Sequence, residues 1–158
     1  SPKRRYWHDE VGYNYRLTNI QAAIGLAQME RIEFFVGRKR WIGEQYNKRL
    51  RNTKYLQTPV EKDEVLNSYW IYTIVLLPPL TQKRDELINF LKQRGIESRP
   101  VFYPMHRMPP YKRFSKTGES YLISSGLSDG GISLPSSIFI EENEIQKVCN
   151  VLCSNLGA

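Results

Sequence analysis

At 158 residues, with 41% hydrophobic and 25% charged residues, the chain has the composition of a globular protein able to bury one core, which excludes a disordered or low-complexity segment. No apolar run approaches the roughly twenty residues needed to cross a bilayer, and Ser1-Pro2-Lys3-Arg4-Arg5 has no apolar signal core behind it, so a cytoplasmic protein with no membrane partner is expected. The formal net charge of +7 belongs wholly to residues 1 to 54, which carry twelve Lys and Arg against five Asp and Glu, whereas the remainder carries eleven of each.

The stretch from Gly12 to Gly25 sets glycine, amide, phenol and guanidinium groups directly before a helix. Gly12 permits backbone conformations closed to other residues, Asn14 and Arg16 offer donors, and Thr18 or Asn19 can cap the helix. The unpaired N–H groups of a helix start add positive potential, which suits an anion. A capped helix start with a solvated Arg16 is the other reading.

From Thr18 onward Ile20, Ala23, Ile24, Ala27, Ile32 and Phe35 recur at helical spacing and predict a buried helix. Gly37 predicts a bend, after which Trp41, Ile42, Tyr46 and Leu50 continue a second stripe to about Asn52. Phe34-Phe35-Val36 is too apolar for a free surface, so this region is expected to pack against something large. Arg38, Lys39, Arg40, Lys48, Arg49 and Arg51 form either a field that attracts phosphates or a solvated helix face.

Residues 53 to 68 read as a linker with Pro59 and a charged turn, and Trp70 to Leu77 as a strand covered on both faces and ended by Pro78-Pro79. Leu87, Ile88 and Leu91 predict a short helix closed by Gly95, and Ile96 to Phe102 a second strand. Tyr103 to Phe114 is proline-rich and aromatic, which predicts an irregular shaped loop. A helix around Glu119 to Leu127, a Gly130-Gly131 turn, a strand at Ile132 to Leu134 and a last amphipathic helix through Ile145, Val148, Cys149 and Leu152 complete the chain. The pattern is α+β, with a loop and helical arm over residues 1–54 and a small α+β domain over residues 55–158.

Cys149 and Cys153 are four residues apart on one helix and fit a helical face better than a disulfide framework. The only histidines, His8 and His106, have no ligand spacing, so no metal site is expected.

The order of residues in Gly12-Tyr13-Asn14-Tyr15-Arg16-Leu17-Thr18-Asn19-Ile20-Gln21-Ala22-Ala23-Ile24-Gly25 resembles a segment of the DegT/DnrJ/EryC1/StrS family of nucleotide-sugar aminotransferases, which use pyridoxal phosphate. Gly95-Ile96-Glu97-Ser98-Arg99-Pro100, Tyr103-Pro104-Met105-His106, Pro109-Pro110-Tyr111 and Ile132-Ser133-Leu134-Pro135 match later landmarks of the family in order. Tyr6-Trp7-His8 and Gln28-Met29-Glu30-Arg31-Ile32 look most like its perosamine synthase branch, which serves lipopolysaccharide O-antigen biosynthesis.

The resemblance implies the C-terminal small domain of a fold-type-I pyridoxal phosphate enzyme, preceded by the helical arm that joins it to a large cofactor domain. It implies a homodimer with a shared cofactor site, in which Asn14 and Arg16 reach the cofactor phosphate of the neighbouring subunit. It implies transfer of an amino group from glutamate to C4 of a nucleotide-linked 4-keto-6-deoxy sugar, GDP-linked for the perosamine branch. The Schiff-base lysine belongs upstream of this stretch, in a large domain that the resemblance places before Ser1. Lys3 and the other lysines lack its flanking context, so no catalytic residue is assigned and the chain alone is expected to be inactive.

His106 sits in the loop that approaches sugar and nucleotide in similar enzymes, and either donates a hydrogen bond there or packs the loop. Arg99 and Tyr103 are candidates for nucleotide contact, and His8 for stacking on a base or for packing. Relatives with histidine in place of the lysine act as dehydratases, which leaves that chemistry open. Outside the family, the basic opening segment with Trp7, Tyr13 and Tyr15 reads as a nucleic-acid module. The apolar face of residues 20 to 36 reads as a self-association surface.

Overall fold

The computed structural model describes residues 6–14, 16–115 and 119–156. Lys3 and Tyr15 lie outside them. The elements in chain order are α1 (Asn19–Met29), α2 (Ile32–Leu50), β1 (Leu56–Gln57), β2 (Thr73–Leu76), α3 (Arg84–Gln93), β3 (Arg99–Pro100), α4 (Leu122–Gly130), β4 (Gly131–Ser133) and α5 (Glu142–Leu156), an α+β fold. Short 3-10 turns at Thr81–Lys83, Met105–Arg107 and Pro109–Phe114 fill the connections.

The four strands form one antiparallel sheet in the order β1-β2-β4-β3. Its centre is the β2–β4 ladder, where Ile74 faces Ile132 and Thr73 faces Ser133. Side chains alternate across a strand. Accordingly Tyr72, Ile74 and Leu76 are buried on one face, whereas Thr73 and Val75 on the other are half-buried, so β2 is not covered equally on both faces as expected.

The buried face meets the apolar stripes of three helices. Ile42, Tyr46 and Leu50 of α2, Leu87 and Leu91 of α3, and Ile145, Val148, Cys149 and Leu152 of α5 join the sheet residues in a single cluster. Side chains of this size each contribute about 1.5–3 kcal/mol on burial, which is what ties the arm's second half to the sheet. Gly95 ends α3 as the spacing predicts. Its φ of +74° belongs to the left-handed region, the Ile96 N–H donates to the Leu91 carbonyl at 3.0 Å, and the two apolar side chains are both buried.

Three further expectations change. The helical arm breaks at Glu30–Arg31, not at Gly37: Arg31 sits outside helical geometry, with φ −116° and ψ 13°, and α2 runs unbroken through Gly37, where an added Cβ would meet nothing within 4 Å. The stretch 53 to 68 is more than a linker, because β1 pairs there with β2, Leu56 opposite Leu76. The buried helix expected from Thr18 onward is bare in this chain. No residue of α1 is buried, and Ile20 and Ile24 are 75% and 60% exposed, because none of the described elements packs on it.

Candidate functional site

Thr18 is the cap of α1. Its hydroxyl accepts from the Gln21 N–H at 3.3 Å, and the Gln21 side chain accepts from the Thr18 N–H at 2.8 Å, a reciprocal capping box. The box already satisfies one N–H of the first helical turn, which leaves less potential for an anion than an uncapped start. The preceding residues 11–14 and 16 are exposed, and Gly12 neither adopts a left-handed φ nor makes a close approach. The loop is therefore no concave site by itself. Among the described residues the amide of Asn14 and the guanidinium of Arg16 have no hydrogen-bond or ion-pair partner, so this donor pair fits a phosphate brought to it from elsewhere.

The other candidates gather around β3 and the loop after it. Trp7 meets Tyr103 edge-on with centroids 5.6 Å apart, and Tyr6 meets Phe102 at 4.6 Å. Arg99 binds the Glu97 carboxylate at 3.0 Å, and that bond, with a second to the Tyr6 hydroxyl, raises the Arg99 pKa. The aromatic pair 6–7 thus bridges Arg99 and Tyr103. His8 is exposed beside Trp7, whose indole N–H donates to Asp9 at 3.0 Å.

His106 is half-buried, stacked on the Tyr121 ring at 4.5 Å and hydrogen-bonded through Nε2 to the Ser125 hydroxyl at 3.3 Å. These contacts favour the packing reading. Its neighbour Arg107 grips Asp129 with two bonds of 2.5 and 2.9 Å, and this pair holds the Asp129 carboxyl below its ordinary pKa. Sequence reasoning missed that pair, since 22 residues separate partners that only the return of α4 brings together. Ser128, one residue before, gives its carbonyl to Arg84 at 2.5 Å.

A cleft of about 650 Å³ opens beside the contacts of Tyr6 with Arg99 and Phe102, lined among others by these three residues, Trp70 and Lys147. Of the six sequence-predicted site residues only Arg99 lines it; Asn14, Arg16, His8, Tyr103 and His106 do not.

The basic face of α2 is mostly engaged within the chain. Arg38 donates to the Ile138 and Ile140 carbonyls, Lys39 to those of Trp70 and Ser136, Arg40 to Glu61 and the Asn67 carbonyl, and Arg49 to Glu142 and Gln146. Partial burial lowers the Lys39 pKa. Four of the six cations expected on a solvated face are thus tied to the fold, which weakens the case for a nucleic-acid footprint. Among the described residues no helix is long and apolar enough to cross a membrane, and no cluster of three His, Cys, Asp or Glu side chains could hold a metal ion.

The model of the DegT/DnrJ/EryC1/StrS aminotransferase family matches residues 1–153. GDP-perosamine synthase of Vibrio cholerae is 39% identical over 149 residues, covering 94% of this chain and 40% of that protein. GDP-perosamine synthase of Escherichia coli O157:H7 is 42% identical over 146 residues, covering 92% and 38%. Among solved structures, a DegT DnrJ EryC1 StrS aminotransferase from Brucella abortus superposes with a TM-score of 0.78 at 25% identity, over 99% of this chain and 40% of that one. The chain spans about 40% of the length of the curated relatives it matches.

Proposed function

Because this chain belongs to the DegT/DnrJ/EryC1/StrS aminotransferase family, we propose that it is the C-terminal part of a pyridoxal-phosphate-dependent sugar aminotransferase. In this reading residues 1–54 are the loop and interdomain arm, and residues 55–158 the small α+β domain. The observation that carries it is the donor pair Asn14 and Arg16, uncommitted among the described residues and set ahead of a capped helix whose apolar side none of the described residues buries. Such an arrangement serves a site completed by another domain or subunit, as a homodimer provides.

Asn14 and Arg16 hold the cofactor phosphate, a task suited to an amide and a fixed positive charge. When bound, pyridoxal phosphate supplies the electron sink that lets an amino group leave glutamate and enter a keto sugar. The residues of β3 and the following loop, Arg99 and Tyr103, face the sugar nucleotide, with His8 at the edge, and His106 packs the loop against Tyr121 and Ser125. The likeness to GDP-perosamine synthases supports GDP-4-keto-6-deoxymannose as substrate and a soluble cytoplasmic enzyme of O-antigen biosynthesis.

The test is made with the protein at the full length of its relatives. Supplied with pyridoxal phosphate, glutamate and GDP-4-keto-6-deoxymannose, it releases 2-oxoglutarate and the 4-amino sugar. Asn14→Ala loosens the cofactor. Deoxygenation of the sugar at C3 without amination assigns the protein to the dehydratase branch and refutes the proposal.

A further inference from the structure

The loop between β3 and α4 is held at its base and lifted at its crest. The Val101 N–H donates to the Gly131 carbonyl at 3.1 Å and Met108 is buried, whereas Phe102 and Met105 between them are exposed. At Gly130 an added Cβ would stand 2.5 Å from the Leu76 carbonyl oxygen, and at Gly131 2.5 Å from a methyl of Val101. The end of α4 therefore presses on β2 and on the base of the loop at a distance that only glycine allows. That approach fixes where Ser128 and Asp129 meet the loop.

Three segments converge there on the Tyr103 hydroxyl. The Arg84 guanidinium, from the start of α3, hydrogen-bonds to it, and Arg107 of the loop itself lies within electrostatic reach of the same phenol. Neither cation is left to swing. Arg84 is only 12% exposed and donates to the Ser128 carbonyl at 2.5 Å and to Asp85 at 2.7 Å, while both oxygens of Asp129 grip Arg107. A guanidinium donates and cannot accept. In its bond with Arg84 the Tyr103 oxygen is thus the acceptor, and the phenolic proton is directed away from Arg84. Once released from Asp129, Arg107 would be a second donor to that oxygen, and the O–H would lose its single aim.

We propose that Arg84 and Asp129 are positioning residues that act through Tyr103: Arg84 aims its O–H out of the loop, and Asp129 keeps Arg107 from competing for the phenolic oxygen. The proposal rests on the reading of Tyr103 as a substrate-facing group of a sugar aminotransferase, and it concerns how that group is aimed. Both residues lie outside the landmark motifs of the sequence.

A double-substitution cycle in the full-length enzyme tests it, with glutamate saturating and GDP-4-keto-6-deoxymannose varied. Tyr103→Phe removes the O–H, and Arg84→Met removes the bond that aims it. Each raises KM for the keto sugar about fivefold, the loss expected for one hydrogen bond, with kcat kept within about twofold. The doubly substituted enzyme is no worse than Tyr103→Phe alone, because aim has no effect once the O–H is gone. Arg84→Lys, which still donates, recovers part of the loss. Asp129→Asn raises KM when Tyr103 is present and leaves it unchanged in the Tyr103→Phe background. A merely structural loss would instead multiply with Tyr103→Phe. Single substitutions at Arg84 and Asp129 that leave KM at the wild-type value, or effects that multiply in the doubly substituted enzymes, overturn the positioning role, while turnover by the wild type keeps the aminotransferase reading standing. A wild type that does not aminate the keto sugar fails that reading, and the proposal falls with it.

Discussion

The guanidinium of Arg38 donates to the carbonyl of Ile140 at 2.5 Å across 102 residues of chain, and its Nε reaches the Ile138 carbonyl at 2.9 Å. The two bonds pin the loop before α5 to the middle of α2. The arm therefore cannot swing without breaking both bonds. Arg38→Met should lower stability by about 2–3 kcal/mol, the order expected for charge-assisted bonds, with partial recovery in Arg38→Lys. Urea unfolding followed by circular dichroism measures both.

Gly43 and Gly37 lie on the same helix and should answer oppositely to alanine. At Gly43 a Cβ would stand 2.7 Å from the Tyr69 ring, which Asn47 and the backbone around it hold in place. Gly43→Ala should cost about 1–3 kcal/mol through forced displacement of that ring. At Gly37 nothing lies within 4 Å, so Gly37→Ala should add about 0.5–1 kcal/mol by removing helix-interior glycine. Thermal melts of the two variants give the comparison, and equal effects would refute it.

These two glycines also mark what was legible beforehand. Periodicity finds α2 and α5 because their stripes are long, and it finds the shorter α3 together with its Gly95 terminus because a C-terminal glycine has a local chemical reason. It misreads Gly37 as a bend because glycine inside a helix looks the same whether or not the helix continues. It passes over β1 because two residues near Pro59 acquire strand geometry only from pairing with β2, a long-range effect. The charge run on α2 likewise reads as a phosphate-attracting field or a solvated face, since no local pattern announces that backbone carbonyls 27 to 102 residues away will receive it. Of the proposed site, Asn14 and Arg16 are put forward by motif order, whereas the Arg107–Asp129 pair depends on tertiary return of the chain.

The Arg107–Asp129 pair gives stability a pH dependence of known sign. Hydrogen bonding to Arg107 lowers the folded-state pKa of Asp129 below the unfolded value. Its contribution is therefore present above the ordinary aspartate range, near pH 4, and is lost as pH falls through the lower folded value. Both side chains are more than a third exposed, so solvent screening limits the effect to about 1 kcal/mol or less. Asp129→Asn should remove this acid-sensitive increment, seen as a shallower loss of urea midpoint between about pH 5 and 3. An unchanged profile would show that the pair carries no linkage.

Cys149 and Cys153 share one helix and differ in reactivity for a physical reason. Cys149 is buried, and burial pushes its thiol up to about 12, so at neutral pH almost none of it is the nucleophilic thiolate. Cys153 is half-buried, with its sulfur 3.7 Å from the Thr53 hydroxyl. Iodoacetamide at pH 8 should alkylate Cys153 first and reach Cys149 only as the helix detaches from the core. Peptide mass spectrometry over a denaturant series reads the order directly. Labelling of Cys149 that matches Cys153 under native conditions would mean that α5 opens locally, and the Leu152 contact that closes the core would then be weaker than its complete burial requires.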